Sequence, residues 1–352
     1  MNKIDRFLKL MNDRGASDFH LTVGRPPMLR ASGLMESIRY RTISENDFAE
    51  LMKPVTPPKV WEEYVQTSDV DFAYEIPSIA RYRVNLFRQQ RGGGAVFRVI
   101  PTKIMTIEQL GLPEQLRRIG SIRSGLVLVT GPTGSGKSTT LAAIVDLINE
   151  TRGLHIITIE DPIEFVHPNK KSLLHQREIG SQAKSFAEAL KAAGREDPDV
   201  ILVGEMRDLE TIAMALSAAE RGTLVFGTLH TNNAAKTMDR IISAFPASEQ
   251  EGARNILGET IRAVVAQQLM PKIGGGRVAA LEILFASPAI GNMIREGKTS
   301  QVTSAIQTGV KEGMIDMDGS IRRLYAAGEI TARTAYDKSI DKEQFKDLQE
   351  SA

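Results

Sequence analysis

The chain of 352 residues carries 44 Lys+Arg against 43 Asp+Glu, a formal net charge of +1, and is 42% hydrophobic and 25% charged. These figures exclude a disordered or fibrous chain and leave no global charge excess with which to hold nucleic acid or an anionic membrane. At roughly 150 residues per domain the length suggests two domains, and the lack of cysteine excludes disulfides, thiolate nucleophiles, iron–sulfur clusters and Cys-ligated zinc.

The opening run MNKIDRFLKLMNDRG mixes charged and apolar residues and has no signal-peptide core. No segment approaches the ~20 apolar residues of a membrane span, so a cytoplasmic protein is expected. There is no fixed-period repeat. Phe19, Leu21 and Val23 alternate with polar residues before the turn Gly24-Arg25-Pro26-Pro27, which predicts a short strand. Tyr82, Val84 and Leu86 alternate with Arg81, Arg83 and Asn85 in the same way. Successive strand side chains face opposite sides, so Arg81 and Arg83 should share the face away from the apolar set. Gly92-Gly93-Gly94 reads as the turn before a hairpin partner at residues 95–100, and residues 101–113 as a linker.

From about Ser124 short apolar strands alternate with helices, the pattern of an α/β domain with a mainly parallel sheet. Strands are predicted at residues 125–129, 155–159, 200–203, 223–227 and 278–284. Leu141, Ile144, Val145 and Ile148 mark one face of a helix stopped by Gly153, and Asp208 caps a second helix that ends at Gly222. The C-terminal part reads as mostly helical.

Gly131-Pro132-Thr133-Gly134-Ser135-Gly136-Lys137-Ser138 fits G-x-x-x-x-G-K-[ST], directly after a predicted strand and directly before an amphipathic helix. Glycines let the backbone N–H groups close on phosphates, and the helix N-terminus adds partial positive charge at the same place. With Thr139 these residues are the candidate ATP cradle; Lys137 would reach the β- and γ-phosphates and Ser138 would ligate Mg²⁺. Hydrolysis further needs acids. Glu205 follows the strand at 200–203, at the sheet edge where open α/β folds bind ligands, and is the first candidate to orient water or stand on the metal side. Glu160, Asp161 and Glu164 follow the strand at 155–159; they read either as a solvated turn or as catalytic acids. His230 follows the strand at 223–227 and is either structural or a hydrogen-bonding sensor of the γ-phosphate. His20, His155, His167 and His175 show no metal-ligand spacing. On the residues alone, Arg81 and Arg83 read as a solvated strand face.

Four boxes in order, GPTGSGKST at 131–139, TIEDPIEF at 158–165, REDPDVILVGEMRD at 195–208 and GTLHTNNAAKTMDRI at 227–241, make the sequence similar to the PilT family of type IV pilus retraction ATPases, within the secretion-ATPase superfamily. The segments ASDFHLTVGRPPMLR, ARYRVNLFRQQRGGGAVFRVIP and AIGNMIREGKTSQV extend the resemblance over nearly the whole chain. It implies an N-terminal PAS-like α+β domain (1–100), the linker, and a RecA-like P-loop ATPase domain with a helical C-terminal region (114–352), assembled as a homohexamer. It makes Glu160, Asp161 and Glu164 the Asp box, Glu205 the Walker B acid and His230 the centre of the His box, with Ser138, Glu160 and Glu205 on the metal side. It also gives Arg81, Arg83 and Arg88 a role in bringing positive charge to the nucleotide, replacing the solvated-face reading.

Two departures from the family pattern stand out. The box usually written AIRNLIRE is here Ala289-Ile290-Gly291-Asn292-Met293-Ile294-Arg295-Glu296; glycine in a helix interior costs about 1 kcal/mol relative to alanine, and a cation is lost. Gly194 stands where an aliphatic residue is usual and reads as a helix end.

The function implied is an ATP-driven motor acting on an inner-membrane pilus platform protein, peripheral to the membrane and touching it only through that partner. The rivals are an assembly or type II secretion ATPase, whose usual tetracysteine insert this chain lacks, and an accessory PilU-like paralogue. A RecA-like nucleic-acid motor is more distant, because it needs a basic or aromatic-lined pore and only 5% of residues are aromatic.

Overall fold

The computed structural model describes residues 2–31, 34–77, 79–100 and 103–349. They fall into two units, Met1–Lys103 with Glu164–Val166, and Ile104–Ile163 with His167–Ala352.

In the first unit β1 (Asp18–Thr22), β2 (Met28–Ala31), β3 (Leu34–Ser37), β4 (Asp69–Ile76), β5 (Ala80–Gln89) and β6 (Gly92–Ile100) form one sheet in the order β3-β2-β1-β6-β5-β4, with every pairing antiparallel. Phe19, Leu21, Tyr82, Val84 and Leu86 are buried, as their alternation requires. Helices α1 (Asp5–Asp13), α2 (Glu45–Met52) and α3 (Pro58–Thr67) add Leu8, Met11, Phe48 and Tyr64 to the same core. Burying a side chain of this size is worth about 1.5–3 kcal/mol, enough to hold helices to one face of the sheet. The glycine run departs from expectation: Gln89 pairs with Gly92, so Gln90-Arg91 is the turn and the three glycines are strand residues. A Cβ on Gly93 would lie 2.2 Å from the Phe48 ring, so its absence lets α2 settle on β6.

The second unit contains β7 (Gly125–Thr130), β8 (His155–Glu160), β9 (Leu173–Glu178), β10 (Val200–Val203), β11 (Leu224–Leu229), β12 (Ile261–Pro271) and β13 (Arg277–Phe285) in the order β13-β12-β7-β11-β10-β8-β9. All pairings are parallel except β12 with β13. The helices are α4 (Gln115–Ile119), α5 (Lys137–Thr151), α6 (Phe186–Ala193), α7 (Leu209–Glu220), α8 (Ala234–Ser243), α9 (Gln250–Thr260), α10 (Pro288–Arg295), α11 (Val302–Thr308), α12 (Met317–Ala326), α13 (Ala332–Lys338) and α14 (Lys346–Gln349). Leu141, Ile144, Val145 and Ile148 of α5 pack with Val127 and Val129, while Ile212, Ala215 and Leu216 of α7 pack with Leu126 and Leu128. Alternate residues of the buried strand β7 thus face helices on opposite sides, as a doubly wound sheet requires. No described helix is long and apolar enough to cross a membrane.

Several sequence readings change. Strands β9 and β12 were not predicted, and the strand expected at 223–227 runs from Leu224 to Leu229. Helix α5 ends on an extended Arg152 before Gly153 is reached. Ile107 and Leu112 are buried in the second unit's core, so residues 104–113 are packed there and do not form a free linker; Pro101 and Thr102 lie outside the described residues. Gly194 does cap α6, but in right-handed geometry. Gly291 has a packing reason: a Cβ there would sit 2.7 Å from the Gly258 carbonyl oxygen, so α9 and α10 meet backbone to backbone.

Candidate active site

Parallel register gathers the site. Leu229 pairs with Thr130, Gly227 with Val203, and Val203 with Ile159, so the strands carrying Gly131, His230, Glu205 and Glu160 all run out at one edge. Residues far apart in the chain therefore line a single rim, the carboxyl edge of the sheet.

The cradle follows β7. Gly131 and Gly136 have φ of 146° and 89°, and a Cβ on Gly131 would lie 2.3 Å from the Gln267 carbonyl oxygen. Only glycine meets both demands. Gln267, from β12, is 3% exposed. Its Nε2 donates to Ser135 O at 2.7 Å and its Oε1 accepts from Thr140 Oγ1 at 2.7 Å, which pins the middle of the loop to the first turn of α5. Lys137 Nζ donates to Gly131 O at 2.8 Å and to Pro132 O at 3.1 Å, so the cation already lies across the loop. Ser135 Oγ is buried with no hydrogen-bond partner among the described residues. An orphaned hydroxyl, a lysine and a helix N-terminus converging on a loop whose Gly131, Gly134 and Gly136 lack Cβ atoms fit a phosphate chain. Pro132, Thr133 and Gly134 form the turn, while Ser138 and Thr139 open α5.

Glu205 sits just past β10 with its side chain 19% exposed. Oε1 accepts from Arg207 Nε at 2.5 Å and lies 2.9 Å from His230 Nε2. Burial pushes the Glu205 carboxyl up, but the Arg207 guanidinium and the neighbouring imidazole outweigh it and hold the carboxyl below its ordinary value. It is therefore a carboxylate at neutral pH. Arg207, 73% exposed on its side chain, is raised in turn by the same contact. Glu160 Oε1 accepts from Thr158 Oγ1 at 2.6 Å and from Gln176 Nε2 at 3.1 Å, so its own strand and the neighbouring β9 aim its carboxylate. Asp161 precedes a cis peptide bond to Pro162. Among the described residues no three acidic or imidazole side chains converge on a metal position. A divalent cation here would draw on Ser138, one carboxylate and the substrate's phosphates, as Mg²⁺ commonly does.

The structure thus brings together the cradle, Glu160, Glu205 and His230 within the second unit. Glu164, Arg81 and Arg83 belong to the first. There Arg83 Nε lies 3.3 Å from Asp71 Oδ1 on the sheet face opposite Tyr82 and Val84. Arg88 has the other parity on β5, and its guanidinium lies over the Tyr64 ring at 5.6 Å. Gln267 and Arg207 were absent from the sequence-based candidates. Arg207 had a visible signal, a cation two residues from Glu205; Gln267 was visible only as a polar pair within an apolar run.

A glycine-rich loop at the head of a doubly wound sheet, with His230 one strand end away and Glu205 two, is the arrangement of a nucleoside-triphosphatase. Residues 30–277 match the family described as Type II/IV secretion system protein. The chain is 51% identical over 342 residues to the type IV pilus retraction ATPase PilT of Pseudomonas aeruginosa, covering 97% of this chain and 99% of that one. It is 51% identical over 320 residues to a twitching motility protein of Neisseria gonorrhoeae, covering 91% and 86% respectively. A crystal structure of the pilus retraction motor PilT with bound ADP superposes with a TM-score of 0.92 at 44% identity, covering 99% of both chains. The chain belongs to the PilT family of secretion-system ATPases.

Proposed function

We propose that this protein is a hexameric ATP-hydrolysing motor that drives retraction of type IV pili from the cytoplasmic face of the inner membrane, acting on a membrane-embedded platform protein. The observation that carries this reading is that the likeness to retraction motors runs through both units and is not confined to the phosphate cradle. Nucleotide binding alone would need only the second unit.

In this reading the backbone of residues 131–136 grips the phosphates and Lys137 exchanges its bonds to Gly131 O and Pro132 O for the β- and γ-phosphate oxygens. Ser138, with Glu205 and Glu160 on the metal side, would hold Mg²⁺, which supplies charge neutralisation to the phosphates when bound. Glu205, already ionised, orients the attacking water, and His230 fixes the carboxylate through Oε1. Arg207 shares that carboxylate oxygen with His230. Glu164, Arg81 and Arg83 enter through the family resemblance alone, and their test is kinetic: replacing both arginines by alanine should slow turnover without unfolding the chain.

The test is a deletion strain scored for surface pili and twitching, complemented with the wild type or with Glu205→Gln. Hyperpiliated, immotile cells that only the wild type rescues support retraction. Bald cells would reassign the motor to assembly, and strong stimulation of the purified ATPase by single-stranded DNA would reassign it to nucleic acid.

A further inference from the structure

Glu282 lies on β13 and is 4% exposed, a carboxyl group inside the second unit; the residue pairs with Ala266, two strands from the residue that precedes the phosphate cradle. A buried carboxyl is costly unless something compensates it. Here Oε1 accepts from the backbone N–H of Ala234 at 2.7 Å. Ala234 is the first residue of α8, just after the N-cap Asn233, whose side chain accepts from Lys236 N. An acceptor carrying negative charge is favoured at that end of a helix.

Only Thr231-Asn232-Asn233 separates Ala234 from His230. Thr231 Oγ1 and Thr237 Oγ1 are 2.6 Å apart, and Thr237 Oγ1 donates to Asn233 O at 2.7 Å. Thr237 is fully buried, so the short loop is tied to the first turns of α8 and must move with them. The loop's other end is fixed by β11. The Glu282 bond fastens the start of α8 to the sheet hairpin β12-β13, the same hairpin whose Gln267 holds the phosphate loop.

We infer that Glu282 is a positioning residue for hydrolysis: by anchoring the N-terminus of α8 it sets where His230 meets Glu205. This rests on the proposed roles of His230 and Glu205. It adds a residue that touches neither nucleotide nor reacting atoms and acts through the 2.9 Å contact between those two side chains.

The experiment uses the full-length protein with ATP and magnesium, comparing wild type, Glu282→Ala, Glu282→Gln, His230→Ala and the double alanine variant. Glu282→Ala should lower kcat by about tenfold with KM within about twofold, the signature of a lost transition-state contact. Glu282→Gln keeps an acceptor oxygen and should recover most of the rate, which also separates the effect from a failure to fold. In the His230→Ala background, Glu282→Ala should cost less than about twofold more, because residues acting through one contact are not additive. Amide exchange at Ala234 should accelerate in Glu282→Ala and not in Glu282→Gln. Additive losses in the double variant, Gln as damaging as Ala, or unchanged exchange at Ala234 would each overturn the assignment. Should Glu205→Gln and His230→Ala both hydrolyse ATP at the wild-type rate, the underlying reading of the site is what fails, and the exchange result still reports whether Glu282 anchors α8.

Discussion

Replacing Gln267 by leucine tests whether the phosphate loop is shaped by its own glycines or by a side chain arriving from β12. Leucine has nearly the same volume but can neither donate to Ser135 O nor accept from Thr140 Oγ1, both now 2.7 Å from the amide. Thr140 can turn its hydroxyl back to a carbonyl in the preceding turn of α5 and recover part of its loss. Ser135 O has no such alternative inside the core, so the change leaves a buried acceptor unpaired at a cost of about 1–3 kcal/mol. If that energy holds the loop in its binding shape, the competent fraction falls and the apparent dissociation constant rises by the same factor. One to three kcal/mol corresponds to roughly 5- to 150-fold. Titration of a fluorescent ATP analogue should show this weakening, with KM rising and kcat changing little, because the nucleotide itself reorders the loop once bound. Gln267→Glu places a second acceptor against Ser135 O and should bind no better than the leucine variant. Nucleotide affinity within about twofold of wild type, alongside a lower urea midpoint, would refute the idea: Gln267 would then stabilise the sheet without shaping the cradle.

Glu205→Gln should retain nucleotide while turnover falls by about 10²–10⁴, measured as phosphate release in a pulse of bound ATP. Arg207→Ala removes a group that holds the Glu205 carboxyl low, so the acid limb of the kcat–pH profile should move to higher pH; an unmoved limb would show that Arg207 does not set the ionisation of Glu205. Burial pushes Glu282 up to about 7 from an ordinary 4.5, with Asp316 and Asp318 adding to the rise. The folded state therefore holds a proton that the unfolded state releases between those values, and wild-type stability should fall by about 3 kcal/mol across that window relative to Glu282→Gln, as read from urea unfolding at several pH values. Gly291→Ala should gain about 1 kcal/mol in helix propensity but force a Cβ to 2.7 Å from Gly258 O. Overpacking against backbone costs typically 1–3 kcal/mol, so a net loss in the unfolding midpoint is expected and a gain would show that α9 and α10 part easily.

The phosphate cradle was legible because it is local: glycine spacing, lysine and flanking elements all lie in one contiguous stretch, and backbone sterics alone dictate them. The acids and His230 were legible as strand ends. Apart from Arg207, the residues that stayed hidden enter from β12 and β13. Strand β12 reads as an apolar run broken by Gln267-Gln268, and a buried amide in such a run carries no periodicity to announce it. Its partner on the loop is 132 positions away in sequence, so only the folded sheet joins them. Strand β9, LLHQRE, is a polar edge strand without the alternation that marks a half-buried one. The glycines at 92–94 misled in the opposite direction: turn propensity favoured a loop, but close approach of the Phe48 ring decided for a strand.

Strand order also changes what the motifs mean. Along the chain the cradle comes first, then Glu160, Glu205 and His230, which would make Glu160 the natural neighbour of the phosphates. In space the order is β7, β11, β10, β8, so His230 stands on the strand next to the cradle, Glu205 one further, and Glu160 last. At about 4.8 Å per strand, Glu160's strand lies about 14 Å from that of the cradle and Glu205's about 10 Å. A magnesium–oxygen bond is only about 2.1 Å long. In the proposed reading, an ion held by Ser138 would therefore lie nearer the strand end of Glu205, and Glu160, held by Thr158 and Gln176, would act on it through water. Glu160→Gln should then cost less turnover than Glu205→Gln and leave the magnesium dependence of hydrolysis nearly unchanged. A large rise in the magnesium concentration required would place Glu160 directly on the ion.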